Sequence, residues 1–433
     1  MRAGRDSGVH QYTLTAGELG ATAAQTVMVA LLPVLLAAHA PSAIWIGIAI
    51  GGEGIFALLL PFWSGALSDR LPPSLTRRFG QRMVVVGASA IVLAAAVAVT
   101  PFLSSYWALA AAAFVSFAGL HAYLTPFWAL LIDVVPDERR GRVQGVRGVL
   151  RSMGLAYGLV GAGLLFGIWQ PLPFLLAAAS VLATTGLTWA AVLASPTDPI
   201  APHHASLTGA WKALLRNRPA FWLLAADAFW NASVDGIRPY FFLYARQVLG
   251  TTVSQTSLGL LLLVTGLGVG SWAVGGLGDR YDRLRILEIA SVALTLAFAA
   301  GFLARSIAVA LAVATAAGLA AAAIMALPYP LYATMVGDEA TGGNTGLYVV
   351  SVTIGRVGAP LLVGGAVDVA ARWMPRSNGY PVMWLLSAAL AAGGWLCVRR
   401  VSRVGRSPGR TSRGGRDWPR RAIEREANRP HRA

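Results

Sequence analysis

Charge and cysteine are both scarce in this 433-residue chain: 12% of the residues are Asp, Glu, Lys or Arg, and Cys397 is the only cysteine. A single thiol excludes intramolecular disulfides, CxxC redox pairs and cysteine-rich zinc sites. Lysine is equally rare. Lys212 stands alone against 34 arginines, so a GxxxxGK[ST] phosphate loop cannot be built and the chain is not the ATPase subunit of a pump. HExxH and GxSxG are missing too, and nothing in the sequence asks for a metal or cofactor. A soluble domain carries roughly 25% charged residues. With 56% hydrophobic residues and a mean hydropathy of +0.61, this chain must cover its surface with lipid instead.

Positive charge is in excess, but it is concentrated. The formal net charge is +16, and residues 399–433 hold 12 arginines against Asp417, Glu424 and Glu426, broken up by Gly, Ser and Pro. That pattern predicts a disordered basic cytoplasmic tail beside a membrane. Attraction to anionic lipid headgroups, about 1 kcal/mol per basic residue near the surface, accounts for it without a nucleic-acid partner.

What the chain has in abundance is apolar runs. A spanning helix needs about 20 apolar residues, and only helices or closed barrels satisfy their backbone groups in hydrocarbon. Twelve such runs lie near residues 14–38, 43–67, 83–103, 107–131, 143–167, 172–194, 220–244, 255–277, 286–304, 307–335, 345–370 and 381–398. The expected fold class is an all-α membrane protein with twelve transmembrane helices. The first run is too long for a signal-peptide core and no small-residue cleavage site follows it, so it counts as a span. With both termini cytoplasmic, 27 of the 35 basic residues fall on inner segments, and outer loops hold only Arg246, Arg305, Arg372 and Arg376. This bias sets the expected orientation in a bacterial-type cytoplasmic membrane. Residues 195–219 form the longest inner loop, a cytoplasmic linker between a half at 1–194 and a half at 220–398. In it Trp211, Leu214 and Leu215 alternate with Lys212, Arg216 and Arg218, a pattern for a short helix in the headgroup plane.

The two sets of six spans repeat one another. Asp133-Val-Val-Pro-Asp137-Glu138 through Gly145-Val146 lines up with Thr334-Met-Val-Gly-Asp338-Glu339 through Gly346-Leu347 at an offset of 201, and Leu67-Ser-Asp69-Arg70 with Leu277-Gly-Asp279-Arg280 at 210. Paired repeats in a membrane protein point to a transporter whose substrate site lies between pseudo-symmetric halves near the midplane.

These residues also carry a family resemblance. Gly65-Ala-Leu-Ser-Asp69-Arg70, followed by Arg77-Arg78-Phe-Gly80-Gln-Arg82, resembles the major facilitator signature between spans 2 and 3, with an echo at Gly275-Gly-Leu-Gly-Asp279-Arg280 between spans 8 and 9. Pro136-Asp-Glu-Arg139-Arg140-Gly141-Arg142 is similar to another inner loop of that superfamily. Within it, the loop after Asp69-Arg70 and Arg238-Pro-Tyr-Phe in span 7 look more like the glycoside and sucrose cation symporter branch. The drug-efflux branch carries GxxxGPxxGG in span 5, where this sequence reads Gly154-Leu-Ala-Tyr-Gly158-Leu159-Val-Gly161-Ala162.

An ionisable group at the bilayer centre costs at least about 2.5–3.5 kcal/mol, so it faces a cavity or a partner. Glu53 lies near the middle of span 2, and Arg356 is similarly deep in span 11. The resemblance implies that these spans meet at the interface of the halves, where the two could pair and protonation of Glu53 would free Arg356. A purely structural ion pair, or a carboxyl kept neutral by desolvation, stays open beside that coupling role. Asp235, the third coupling candidate, stands three residues before Arg238 in span 7, so the two share a helix face. The resemblance further implies a central cavity lined by spans 1, 4, 7 and 10. Gln25, His121, Tyr123, Trp128, Asp227, Trp230, Asn231, Arg238, Tyr329 and Tyr332 would give it hydrogen-bonding and aromatic surface. At the inner face it implies a gating latch. Asp69, with Arg70, would face the N-terminus of span 11, and Asp279, with Arg280, that of span 5, with Arg142 nearby; each carboxylate gains about 0.3–1 kcal/mol from the helix dipole. Ordinary solvated loop charges are the plain alternative. Arg147 and Arg151 share a face of span 5 and either attract an anionic substrate or neutralise Asp133; the nearness of Asp133 in sequence favours the second.

Together these features predict a secondary active transporter working by alternating access, monomeric and not an enzyme, driven by protons or sodium because no nucleotide motif exists. The leading expectation is proton-coupled uptake of a sugar or glycoside-like solute. Proton-coupled drug or metabolite efflux is the first rival, and a non-transporting sensor or assembly factor on the same fold is a rival of another class.

Overall fold

The computed structural model describes residues 12–404 apart from 73, 76–78, 81, 136, 195–213, 216 and 337–340. The helices of the first half are α1 Gly17–Leu36, α2 Ala43–Asp69, α3 Met83–Val99, α4 Tyr106–Val134, α5 Asp137–Ala156 continuing through Tyr157–Gly161 into Ala162–Ile168, and α6 Leu172–Leu193. Those of the second are α7 Arg218–Ile237 with, after a break, Phe241–Val248, α8 Val253–Arg280, α9 Arg283–Gly301, α10 Ile307–Ala326 with Pro328–Val336, α11 Thr341–Ala371 and α12 Val382–Val404. No strand occurs among the described residues. Eleven of the helical segments are long and apolar enough to cross a membrane. The exception among the expected spans is α7, which carries Arg218, Asp227 and Asp235, so the count remains broadly consistent with twelve.

Side-chain caps set where several helices begin. Ser105, Asn217, Thr252, Asp282 and Ser306 each accept a backbone N–H from the first turn of α4, α7, α8, α9 and α10, contributions of about 1 kcal/mol each. Between helices, lipid removes the hydrophobic drive to associate, so close packing rests on small residues. Gly154 of α5 lies against α1, where a Cβ would come within 2.7 Å of the Leu19 carbonyl oxygen. In α5, Tyr157–Gly161 is one wide turn in which the Ala162 N–H reaches back to the Tyr157 carbonyl.

The halves are joined at one end, where α1 passes into α2. Gly47 of α2 lies so close to α11 that a Cβ would stand 2.5 Å from the Pro360 carbonyl oxygen. Asp368 of α11 accepts the backbone N–H groups of Ala43 and Ile44 at 2.8 and 2.9 Å, capping α2 across the interface. The Tyr240 hydroxyl donates within reach of both the Ala43 and Pro360 carbonyls, at 3.1 and 2.8 Å. At the same end Ser254 of α8 donates to the Gly163 carbonyl of α5 at 3.1 Å. Toward the opposite end of α5, a Cβ on Gly145 or Gly148 would meet only open space.

Residues 399–404, expected to belong to the tail, are helical. α12 continues to Val404 because its arginines find aromatic faces: Arg399 lies over Trp395 at 4.9 Å and Arg400 over Trp222 at 4.4 Å. The chain beyond 404, the amphipathic stretch of the linker around Trp211 and Lys212, and Asp338-Glu339 of the repeat lie outside the described residues.

Candidate functional site

Near the middle of the molecule, polar side chains from both halves converge on Glu53. α2 places this carboxylate with only 2% of its side chain exposed. Gln25 of α1 donates its amide N–H to Glu53 Oε1 at 2.5 Å, and His121 Nε2 of α4 lies 3.9 Å from the same oxygen. From the second half, Arg356 Nη1 of α11 stands 3.6 Å from Glu53 Oε1, and its Nε stands 3.6 Å from Asp235 Oδ2 of α7. Asp235 Oδ1 in turn accepts from Arg238 Nη1 at 2.7 Å, the helical i, i+3 pair. Two carboxylates and two guanidiniums thus alternate across the interface. The contacts of Arg356 are longer than the ~2.7–2.9 Å of a tight charge-assisted hydrogen bond, and its Nε is buried without such a bond. Arg356 is therefore held by both acids and locked to neither.

A second carboxylate was not singled out in the sequence. Glu18 of α1 is buried, with Arg147 Nε of α5 at 2.8 Å and the Trp128 indole N–H of α4 donating at 3.0 Å, both to Oε2. The Arg147 guanidinium also lies over the Trp128 ring, 4.7 Å from its centroid. This corrects the expectation that Arg147 and Arg151 neutralise Asp133: that carboxylate pairs with Arg82 Nε at 2.7 Å. Helix direction decides the outcome, since Arg147 faces α1.

Asp227 of α7 is 1% exposed and accepts from two hydroxyls of α11, Ser351 Oγ at 2.8 Å and Tyr348 OH at 3.4 Å. Tyr329 and Tyr332 pack their rings on Tyr348 at 5.0 and 6.2 Å. The Asn231 amide is spent on its own helix, donating to the Asp227 carbonyl at 2.8 Å. Two expected cavity residues belong elsewhere. Tyr123 is fully buried inside the first half, stacked on Phe127 at 5.3 Å and bonded to Thr185 at 3.3 Å. Trp230 is fully buried against Gly394 of α12, inside the second half. Arg70, Arg142 and Arg280 are exposed, and the side chains of Asp69 and Asp279 lie outside the described residues.

Beside the charge layer lies a cavity between α1, α5 and the second half. Its walls are apolar, with Val29, Ala30, Phe241, Phe242 and Phe298 among them, and only Thr26, Arg238 and Trp384 bring polar atoms. The residues missed from sequence, Glu18, Asp368, Tyr348 and Ser351, all sit within apolar runs. A search for every acid inside a run would have found the first two.

The sequence model of the Major Facilitator Superfamily matches residues 14–360. No curated protein matches the sequence. Among solved structures, the chain is similar to a bacterial homologue of the human lysosomal transporter Spinster in an inward-facing, unoccupied conformation, with a TM-score of 0.75 and 14% identity over 93% of this chain and 99% of that one. It is also similar to the nucleoside transporter NupG, at TM-score 0.70 and 13% identity over 91% and 99%. The POT family transporter PepTSo gives TM-score 0.70 and 12% identity over 92% and 98%. At these identities the likeness is one of fold.

Proposed function

The chain belongs to the Major Facilitator Superfamily, and from that premise we propose that it moves a small solute by alternating access with a proton as coupling ion and Glu53 as the group that carries it. That it is an integral membrane transporter and not an enzyme follows from the family and from its transporter neighbours. The coupling reading is carried by one observation: Arg356 sits 3.6 Å from a carboxylate of each half. With Glu53 charged, the pair ties α2 to α11. A proton on Glu53 removes that tie and leaves Arg356 with Asp235, inside its own half. Charges about 4 Å apart attract by on the order of 4 kcal/mol at an effective dielectric near 20, before desolvation is counted. One protonation therefore switches an inter-half contact of useful size.

The excess of arginine on the opposite side makes the end joined by Asp368 the external one, with both termini cytoplasmic. The conformation described is then closed outward and open inward, and Asp69 and Asp279 stand at the inner ends of α2 and α8 as latch carboxylates for the reverse state. The resemblance to glycoside symporters suggests uptake of a sugar. One observation favours the second reading, exchange of a proton for a less polar metabolite: a sugar needs partners for each hydroxyl, and the cavity beside Arg238 offers few.

The test uses proteoliposomes with an imposed pH gradient and a substrate identified by thermal shift. Wild type should accumulate or expel solute with the gradient, and its sign separates uptake from efflux. Glu53→Gln should lose gradient-driven accumulation while keeping solute exchange, because exchange need not release the proton. A Glu53→Gln protein that still accumulates solute against its gradient would place coupling elsewhere.

A further inference from the structure

One buried acid takes no part in the charge layer. Asp227 of α7 is sealed from solvent, and no arginine, lysine or histidine stands within ion-pair distance of it among the described residues. Its polar neighbours are uncharged: Ser351 and Tyr348 of α11, Asn231 on its own helix, and Tyr329 and Tyr332 of α10, whose rings pack on Tyr348. α12 also packs on α7. Its titratable groups are the buried thiol of Cys397 and three arginines, 399, 400 and 403, of which Arg400 lies over the Trp222 ring, five residues before Asp227. As an anion, a carboxyl so placed is costly, because no cation offsets the hydration it has lost.

The distances around Asp227 fit a neutral acid. Ser351 Oγ lies 2.8 Å from Asp227 Oδ2 and 2.7 Å from the Tyr348 carbonyl oxygen. A hydroxyl has a single hydrogen to donate. Both contacts are therefore full hydrogen bonds only when the acid supplies a second hydrogen: its O–H donates to Ser351 Oγ, and the Ser351 O–H donates to the Tyr348 carbonyl. The Tyr348 phenol, 3.4 Å from Oδ1, then closes the circuit by donating to the other oxygen of the acid. An ionised carboxylate draws hydroxyls in to about 2.5–2.7 Å, as Glu288 does with Ser402 Oγ at 2.6 Å. Neither hydroxyl comes so near to Asp227. A 2.8 Å contact is an O–H···O length, and it leaves no space for a metal ion between the two oxygens.

Resting on the transporter reading above, but not on Glu53 as the coupling group, we propose that Asp227 is a second proton-binding site, occupied in the conformation described. Its proton joins α7 to α11, the same two helices that Asp235 and Arg356 join. Loss of the proton breaks the circuit and leaves an unpaired charge between these helices, so release requires a change in how they pack. Asp227 takes no part in the wall of the apolar cavity, and a solute held there does not touch it. A proton has a shorter way in: Tyr348 is half-buried, and its ring meets that of the exposed Tyr329 at 5.0 Å.

Infrared difference spectra of the full chain in nanodiscs at neutral pH, with no solute and no gradient, test this site apart from any role of Glu53. Wild type should show the carbonyl stretch of a neutral carboxyl group that is lost in Asp227→Asn, whose amide keeps a donor toward Ser351, and that persists in Glu53→Gln. The band should move to lower frequency in heavy water and disappear reversibly as the pH is raised. Ser351→Ala keeps the acid but removes the acceptor of its proton, so the band should move to higher frequency; this variant decides the matter if Asp227→Asn does not fold. Identical neutral-carboxyl spectra of wild type and folded Asp227→Asn, or a Ser351→Ala band in its wild-type place, would overturn the assignment. A band that answers to neither heavy water nor pH would make Asp227 a sealed structural acid. Loss of the band when sodium replaces choline at fixed pH would give the site to a metal ion, and either result equally ends the proposal.

Discussion

Glu18 and Glu53 are equally buried, each with 2% of its side chain exposed, and each faces an arginine, yet the two sites differ in what they join. Glu18 and Arg147 meet at 2.8 Å within the first half, braced by Trp128. Glu53 and Arg356 stand at 3.6 Å across the halves, and Arg356 has a second acid to turn to. A short, fully satisfied pair inside one rigid body has no reason to change during a rocking motion. A longer pair between two bodies, with an alternative partner at hand, can be made and broken at modest cost.

The sharpest way to break this contrast is at Arg356. Arg356→Gln should destabilise the protein by about 3–5 kcal/mol, the usual penalty for stripping a buried carboxylate of its cation, read from unfolding in detergent. Adding Glu53→Gln should return part of that loss, because the two groups share one interaction; strictly additive losses would show that they do not. At the other site, Arg147→Gln should cost about 2–3 kcal/mol, since Glu18 keeps the Trp128 N–H. The surviving protein should retain its ratio of solute moved per proton, and a changed ratio would erase the distinction between the sites.

A smaller effect is expected at the closed end. Asp368→Asn weakens a helix cap that spans the interface, a contribution of about 1 kcal/mol. Electron-resonance distances between labels on the α1–α2 and α11–α12 junctions should shift toward the separated state, and an unchanged distribution would mean that the cap does not hold the halves. Truncation after Val404 should leave transport unchanged, as arginine clusters beyond α12 cannot line a midplane cavity. Loss of substrate selectivity on truncation would contradict this.

The sequence made the spans, the repeat and the family legible because apolar length and loop charge are local properties. The Asp235–Arg238 pair was legible for the same reason, as three residues on one helix. Arg147 shows where such reading stops. Its partner is Glu18, 129 positions away, and proximity in sequence pointed to Asp133 instead. Asp368 reaches Ala43 across 325 positions. Faces were equally opaque: a membrane helix is apolar all round, so periodicity could not tell that Tyr123 and Trp230 turn into the halves while Gln25 and Arg238 turn toward the space between them.

The wide turn at Tyr157–Gly161 holds one residue more than an α-helix would need to cover the same rise. Read as an insertion, it sets a phase difference along α5, letting Gly154 meet α1 while Gly163 meets Ser257 of α8. Removing a single residue there would heal the helix with both parts still in phase, the lower part of α5 on α1 and the upper part on α8. Straightening the helix with that residue kept would instead turn everything beyond it by about 100°, and Gly163 and Gly167 would swing away from α8. The frame of this helix, counted in residues, is thus as much a determinant of how the halves meet as the identity of any side chain on it.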